Sequence, residues 1–365
     1  MENNKYVFLA DNLFNSKKNK IIKINPSKIK NLNFFPKFYA LLIKNKINIV
    51  THMADFDGIG SAAILIKTYG KNIENLFFID YKKKEVQNLK SKMQNLKNSI
   101  IIILDIGMNE DLLPDFIEIF AHLKKNKNTI IWLDHHEWSN NSVQKISERI
   151  DFLICKENKI NCATELAYSL LCKKDKFGDN LADIIHIGDF NLRARQKSRQ
   201  EIIIKMAYVI NNICSNKNRD INLKKLANYI AGQELENEFI NNAYKKYLKA
   251  SKLNLKILNK TISTFNVKNY KFAIGFSKNL QASFACSYIL DKTKSDLSIF
   301  YNSATNVFHL RSRGPECILI AKAMHGGGHP HAAAFESAGK QIDLNNIIEI
   351  KKAVDQIKNI AEKIY

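Results

Sequence analysis

Residues 130–137 read Ile130-Ile131-Trp132-Leu133-Asp134-His135-His136-Glu137, a short apolar run that ends in a carboxylate and two imidazoles. An apolar run of this length, closed by polar residues, reads as a strand buried on both faces of a parallel sheet. In an open α/β sheet, ligands bind just beyond the carboxyl ends of the strands. Asp134, His135 and His136 therefore stand where such a protein places its chemistry. Two earlier stretches repeat the pattern. Residues 47–51 (Ile-Asn-Ile-Val-Thr) lead into His52, Asp55 and Asp57, and residues 100–104 (Ile-Ile-Ile-Ile-Leu) lead into Asp105.

Between these runs the texture alternates. A helix is expected over 37–46, strands over 47–51, 76–80, 100–104 and 129–133, and helices over 84–97 and 110–124. Gly58-Ile59-Gly60-Ser61-Ala62-Ala63 reads as a loop opening a buried helix. Such alternation predicts βαβ units and a parallel sheet. A short strand over 151–154 and helices over 163–173, 181–210 and 221–258 follow, the last serving as a connector. From residue 261 short β-like segments (262–265, 272–276, 297–301, 307–311) surround a helical stretch at 280–291. A glycine cluster at 326–328 and a final helix from about 345 close the chain. Residues 1–36 are mixed and receive no assignment. The fold class is α/β: a parallel-sheet domain with its helical connector over 1–255, and a smaller α/β domain over 261–365.

Composition sets wider bounds. At 365 residues, two domains are expected. The net charge of +21 suits a phosphate-bearing partner. It is carried almost wholly by Lys in a chain also crowded with Asn and Ile, however, a bias that AT-rich coding writes on any surface. The six cysteines show no paired spacing, which predicts reduced thiols and a cytoplasmic setting. No apolar run approaches the 18 residues of a membrane span, and the amino terminus does not read as a signal peptide.

His52, Asp55, Asp57, Asp105, Asp134, His135 and Asp189 all lie at the ends of apolar elements. One Asp after a strand is ordinarily a turn or cap residue. Several carboxylates at neighbouring strand ends would repel one another, and burying them unpaired is costly. A pair of divalent cations removes the conflict. Carboxylate with imidazole suits Mn, Fe, Zn or Co rather than thiol-seeking ions. Two such ions form a clamp for attack of water on a phosphorus centre.

Five motifs in order now resemble the DHH phosphoesterases. They are His52 with Asp55-Phe56-Asp57-Gly58; Leu104-Asp105-Ile106-Gly107; Asp134-His135-His136; His186-Ile187-Gly188-Asp189-Phe190; and His309-Leu310-Arg311-Ser312 followed by Gly326-Gly327-Gly328-His329-Pro330. The last pair is similar to the DHH-associated C-terminal domain. The resemblance spans about residues 47 to 340. It implies an active site in the cleft between two domains and two Mn²⁺ ions, with Mg²⁺ or Co²⁺ as substitutes. His52 and Asp55 would hold one ion, Asp57, His135 and Asp189 the other, with Asp105 bridging. Asp134 would orient an imidazole, and His136 would face the substrate phosphate as a positive contact or proton donor. Arg311 would pair with a phosphate, and Gly326, Gly327, Gly328 and His329 would line a substrate site. The chain departs from the pattern in the three-residue step from His52 to Asp55, in His325 where a further Gly is common, and in Ala334.

The activity implied is hydrolysis of short RNA or DNA oligonucleotides from one end, in the manner of a nanoRNase. Alternatives within the resemblance are a 3′-phosphoadenosine 5′-phosphate phosphatase, a cyclic dinucleotide phosphodiesterase and a RecJ-like single-strand DNA exonuclease. A non-catalytic nucleic-acid-binding protein is the reading from a different class. No membrane partner is expected, and a homodimer is compatible. Thr164 and Glu165 read as an ordinary helix start. Arg193, Arg195 and Arg199 form a candidate phosphate-tracking strip. Tyr244, Tyr247, Phe284 and Tyr288 read as core, His122 and His186 as structural, and His331 as a minor substrate candidate.

Overall fold

The computed structural model describes residues 7–14, 21–24, 33–155, 160–190, 192, 197–339 and 341–365. The chain divides into two compact units, Met1–Asn241 and Asn242–Tyr365. The division falls inside the helix Glu238–Thr261.

The first unit is built on a sheet with seven strands among the described residues: β1 Val7–Asp11, β2 Ile21–Ile24, β3 Ile47–His52, β4 Ile73–Ile79, β5 Ile100–Leu104, β6 Thr129–Leu133 and β7 Phe152–Cys155. Their order across the sheet is β2-β1-β7-β6-β5-β3-β4. The five strands from β7 to β4 are mutually parallel. Every residue of β3 and β5 is buried, as the unbroken Ile/Leu run of β5 requires when helices cover both faces. β1 runs antiparallel to both β2 and β7. This antiparallel edge comes from the stretch that carries no clear pattern in the sequence, and much of 1–36 lies outside the described residues.

Two chain directions meet in this sheet. From β3 the chain moves outward to β4, then returns to the other side of β3 to lay down β5, β6 and β7. The reversal puts the topological switch point between β3 and β5, where open α/β sheets bind ligands. The opposite end of the same strands is closed by a buried polar ladder. Asn75 Nδ2 donates to Asn48 Oδ1 (2.7 Å), Asn48 Nδ2 to Ser99 Oγ (3.0 Å), and Ser99 Oγ to Asn128 Oδ1 (2.8 Å). Asn128 in turn donates to the carbonyls of Leu96 and Leu123.

Two helices expected to be continuous are each two. The span 181–210 contains Lys176–Asp189 and Lys197–Cys214, and 221–258 contains Arg219–Ala231 and Glu238–Thr261. The second break is a turn at Gly232 and Gln233, where Gln233 takes a positive φ of 65° that ends the helix. Asn140–Ser147 is a helix that carries no assignment from sequence, capped by Ser139. Among the described residues no helix is long and apolar enough to cross a membrane. Among the described residues none of the six cysteines forms a disulfide.

The second unit has a six-stranded sheet: β8 Ser263–Val267, β9 Tyr270–Ser277, β10 Leu297–Asn302, β11 Val307–Ser312, β12 Gly327–His329 and β13 Ala332–Glu336, in the order β12-β13-β11-β10-β9-β8. Only β9 and β10 pair in parallel. The terminal helix Ile347–Ile364 packs with one sheet face, and Ala282–Thr293 with part of the other.

The polar ladder gives a test of how the sheet is held. Asn128→Ala would leave the Ser99 N–H and hydroxyl without their acceptor, and two buried carbonyls without their donor. It should lower the unfolding free energy by roughly 2–4 kcal/mol in urea titration. Exposed Lys125→Ala should change it by less than about 0.5 kcal/mol.

Candidate metal centre

Each turn leaving the carboxyl end of a strand is tied to the next strand by one further backbone bond. Met53 N donates to Ile79 O (3.0 Å), Asp105 N to Leu133 O (3.2 Å), and Asp134 N to Ile154 O (2.9 Å). These bonds hold the polar residues that follow β3, β5 and β6 in one pocket.

Asp105 sits at its centre. It is buried and adopts a positive φ of 55°, a conformation that costs an L residue energy unless its surroundings enforce it. They do so residue by residue. The Ile106 carbonyl accepts from Trp132 Nε1 (3.0 Å), and Gly107 N donates to the Tyr81 hydroxyl (3.2 Å). A Cβ at Gly107 would lie 2.9 Å from that of His136, so only glycine fits there.

Three groups of potential ligand atoms converge, each within 4.8 Å: His52, Asp55 and Asp105; Asp105, His135 and His136; and Asp57, His135 and Asp189. His135 Nε2 lies 3.5 Å from Asp105, 3.6 Å from Asp189 and 3.7 Å from Asp57. His52 Nδ1 lies 2.7 Å from Asp55 and 3.6 Å from Asp105. Asp105 Oδ2 and both ring nitrogens of His135 are buried and have no hydrogen-bond partner among the described residues. Buried polar atoms are otherwise almost always bonded. Hard oxygen and imidazole donors left unsatisfied around a common space fit divalent cations.

The other carboxylates are held by named donors. Asp55 caps the helix Phe56–Tyr69 by accepting from Gly58 N (3.0 Å). Asp57 accepts from the first two N–H groups of the helix Ala163–Leu171, Ala163 N at 2.7 Å and Thr164 N at 2.8 Å. The Thr164 hydroxyl meets the Asp57 carbonyl and Ser61. The start of that helix is thus not an ordinary one, since it grips a candidate ligand. Glu165 accepts from Cys162 N and pairs with His186 at 2.7 Å. Asp134, fully buried, accepts from His136 Nδ1 (2.8 Å), His136 N (3.1 Å) and Trp138 Nε1 (2.6 Å). The imidazole it orients is therefore that of His136.

Charge follows from these contacts. Burial, with Asp55 and Asp57 nearby, pushes the Asp105 carboxyl up to about 7. Burial pushes Asp189 up to about 6. Against the pull of burial, the surrounding carboxylates hold His52 and His135 well above the usual imidazole range. Burial also opposes ionisation of Asp55 and Asp134, but the adjacent imidazoles and N–H donors keep both low.

Of the remaining residues singled out in the sequence, Arg199 pairs with Asp183, while Arg193 and Arg195 lie outside the described residues. His122 bonds the Gln94 carbonyl. In the second unit Arg311 Nη2 donates to Ser283 Oγ (3.0 Å). Backbone register places Arg311 opposite Ala332 and Ala332 opposite His329, whose side chain lies outside the description. A Cβ at Gly326 would come within 2.2 Å of the Ala334 carbonyl. Gly328 has φ +131° and stands as close to β13. These two glycines are required by the fold. Asp80 and Tyr81, at the end of β4, belong to the site and were not marked by the sequence reading. The signal was available, because β4 ends in Asp as its neighbours do.

The fold and the pocket define an α/β domain with a cluster of acids and imidazoles at its strand ends that could hold metal ions. Residues 46–188 match the model described as DHH family, N-terminal domain, and the chain carries that domain. No curated protein matches the chain by sequence. Its fold is shared by solved structures that include the following three. The DHH domain of a protein described as a member of a ribosomal protein family is 16% identical with a TM-score of 0.61, covering 87% of this chain and 88% of its own. RecJ from Thermus thermophilus, in complex with Mn²⁺, is 13% identical with a TM-score of 0.60; 93% of this chain aligns, spanning 57% of that one. A manganese-bound exonuclease RecJ is 14% identical with a TM-score of 0.55, covering 90% and 94%.

The pocket predicts how stability depends on pH. Asp105 and Asp189 are raised above the 3.8 of an unfolded carboxyl, so the stability tied to their protons is full below about 4 and lost as pH rises through about 6 to 7. The raised imidazoles act in the same direction above 6.5. The lowered acids change only below 3.8. The Tm of metal-stripped protein should therefore fall between pH 5 and pH 8. Mn²⁺ at about 100 times its Kd should restore about 2.7 kcal/mol at pH 7.5, roughly 5–10 °C, and less at pH 5.5, where protons compete. A flat Tm with no response to Mn²⁺ in differential scanning fluorimetry would exclude a cation site here.

Proposed function

We propose that this protein is a divalent-metal phosphoesterase that hydrolyses the phosphodiester bonds of short oligonucleotides from one end. The observation that carries the reading is the set of buried donors without partners, Asp105 Oδ2 and the two nitrogens of His135, inside a ring of further acids. A protein that only bound nucleic acid would gain nothing from so costly a pocket.

The residues would suit two ions: His52 and Asp55 would hold one, Asp57, His135 and Asp189 the other, and Asp105 would serve both. When bound, such ions lower the pKa of water and neutralise charge on a phosphoryl group. Manganese is the proposed species; its presence with the two RecJ proteins supports this. His136, half-buried and fixed by Asp134, offers a proton or a positive contact to an oxygen of the substrate. The Trp138 indole and the His136 amide hold the Asp134 carboxylate, so the ring cannot swing free.

The second unit supports the nucleotide part of the reading. One sheet face there sets His309 and Arg311 of β11 beside Ala332 and Ala334 of β13 and Gly327 of β12. Small residues leave room for a flat base, and a guanidinium suits a phosphate. That face resembles the substrate surface of the DHH-associated domain. Tyr247 is core, its hydroxyl accepting from Gln281 N.

Incubation with Mn²⁺ and end-labelled oligonucleotides of two to about twenty residues tests the proposal. Species of two to about five residues should disappear first and yield mononucleotides. Preference for long single-stranded DNA, 3′-phosphoadenosine 5′-phosphate or a cyclic dinucleotide would redirect the substrate assignment. Turnover of none would overturn the enzyme reading. Asp105→Asn should remove nearly all turnover, while His136→Ala should lower kcat by about 10²–10⁴. Arg311→Ala should raise KM by roughly ten- to a hundredfold with kcat nearly unchanged, as expected for a lost charged hydrogen bond of about 1.5–3 kcal/mol.

A further inference from the structure

His52 presents two edges to two acids. Nδ1 faces Asp55 at 2.7 Å and Asp105 at 3.6 Å, the inner side of the pocket. Nε2 faces outward, and Asp80 Oδ1 at 3.8 Å is the carboxylate oxygen within 4 Å of it among the described residues. Asp80 is the first residue beyond β4, the outermost parallel strand, and contributes to none of the three ligand groups.

Its placement is fixed by local geometry. Asp80 Oδ1 accepts from Tyr81 N at 2.8 Å, which locks the carboxylate against its own turn. The Ile79 carbonyl accepts from Met53 N, so the residues on either side of the Asp80–His52 contact are bonded through the backbone. The Tyr81 ring packs 4.9 Å from the His52 ring and blocks its rotation on that side. Cation-bound histidines ordinarily donate their second ring N–H to a carboxylate or carbonyl, which fixes the tautomer and the ring plane.

We propose that Asp80 is the positioning residue for His52: it draws the ring proton to Nε2 and leaves the Nδ1 lone pair turned toward Asp55 and Asp105. The inference rests on the metal-centre reading and adds a specific partner to it. It also accounts for how His52 serves from a position three residues before Asp55. The end of β4 gives the ring a hold from outside its own turn. The assembly parallels that of Asp134 with His136 on the other side of Asp105, so each flank of the central carboxylate has an imidazole backed by its own acid.

The test is calorimetric titration of metal-stripped full-length protein with MnCl₂ at pH 7.5, comparing wild type, Asp80→Asn and Asp80→Ala. Wild type should show two binding events. Asp80→Ala should weaken one of them about 10–100-fold and leave the other unchanged. Asp80→Asn, which keeps an acceptor but loses the charge, should fall between. Circular dichroism and the Tm without metal should match wild type in both variants, since Asp80 is partly exposed and lies beyond the strand. Two-site binding by wild type with no change in Asp80→Ala would overturn the inference alone. Equal weakening of both sites with a lowered Tm would overturn it in favour of a purely structural role. Absence of Mn²⁺ binding by wild type would overturn the metal-centre reading and the inference with it.

Discussion

Mutual repulsion of carboxylates is the constraint around which the first unit is arranged. Asp55, Asp57, Asp80, Asp105, Asp134 and Asp189 converge on the carboxyl ends of four adjacent strands, and each must be kept from its neighbours by something. Asp55 has the Gly58 amide and His52. Asp57 has two helix N–H groups, Asp80 the Tyr81 amide, and Asp134 an imidazole, an indole and an amide. Asp105 and Asp189 show no such amide donors among the described residues, and they are the two acids whose carboxyls are pushed upward. The pocket is thus graded, with settled anions around a pair of acids whose carboxyls are pushed upward.

Much of this was legible in the chain. Short Ile-rich apolar runs mark β3, β5 and β6, and the acids and imidazoles following them stand out as site candidates from position alone. The antiparallel β1 and β2 were not legible, because the short apolar pieces at Val7–Asp11 and Ile21–Ile24 are set apart by a lysine cluster and stand outside the strand–helix alternation that identifies β3 to β7. Asp80 was passed over for another reason. It was absorbed into the strand expected at 76–80, and its importance depends on β4 lying beside β3. That neighbour relation is set by the order in which strands join the sheet, and no local pattern encodes it. Trp138 and the helix start at Ala163 and Thr164 belong to the same class: donors distant in sequence that become significant only once the acid they serve is located.

The second unit shows the reverse situation. Gly326-Gly327-Gly328 has an obvious sequence signature, and its apparent purpose was close approach to a ligand. Two of these glycines are accounted for by their own neighbour, since side chains at 326 and 328 would collide with β13. His325 explains a further departure from the family pattern. Its φ of 58° is a conformation that glycine adopts freely and histidine does not, so the position tolerates the substitution at a conformational cost. A motif can thus be diagnostic of a fold for steric reasons, while the recognition surface proposed above lies in the residues beside it, His309, Arg311 and the alanines opposite them.

The two ways of holding an acid have an evolutionary corollary. Asp57, in the first turn of the helix Phe56–Tyr69, ties that helix to the start of Ala163–Leu171 by accepting from two backbone N–H groups, so a descendant that had given up chemistry would still be selected to keep it. Asp105 is buried, bent into an unfavourable backbone region and short of partners; a lineage released from catalysis would become more stable by discarding it. Among distant descendants of this domain, an aspartate at the position of Asp57 therefore says little about whether the protein still turns over a substrate. One at the position of Asp105 is informative, because only continued use would retain a residue that the fold is better off without.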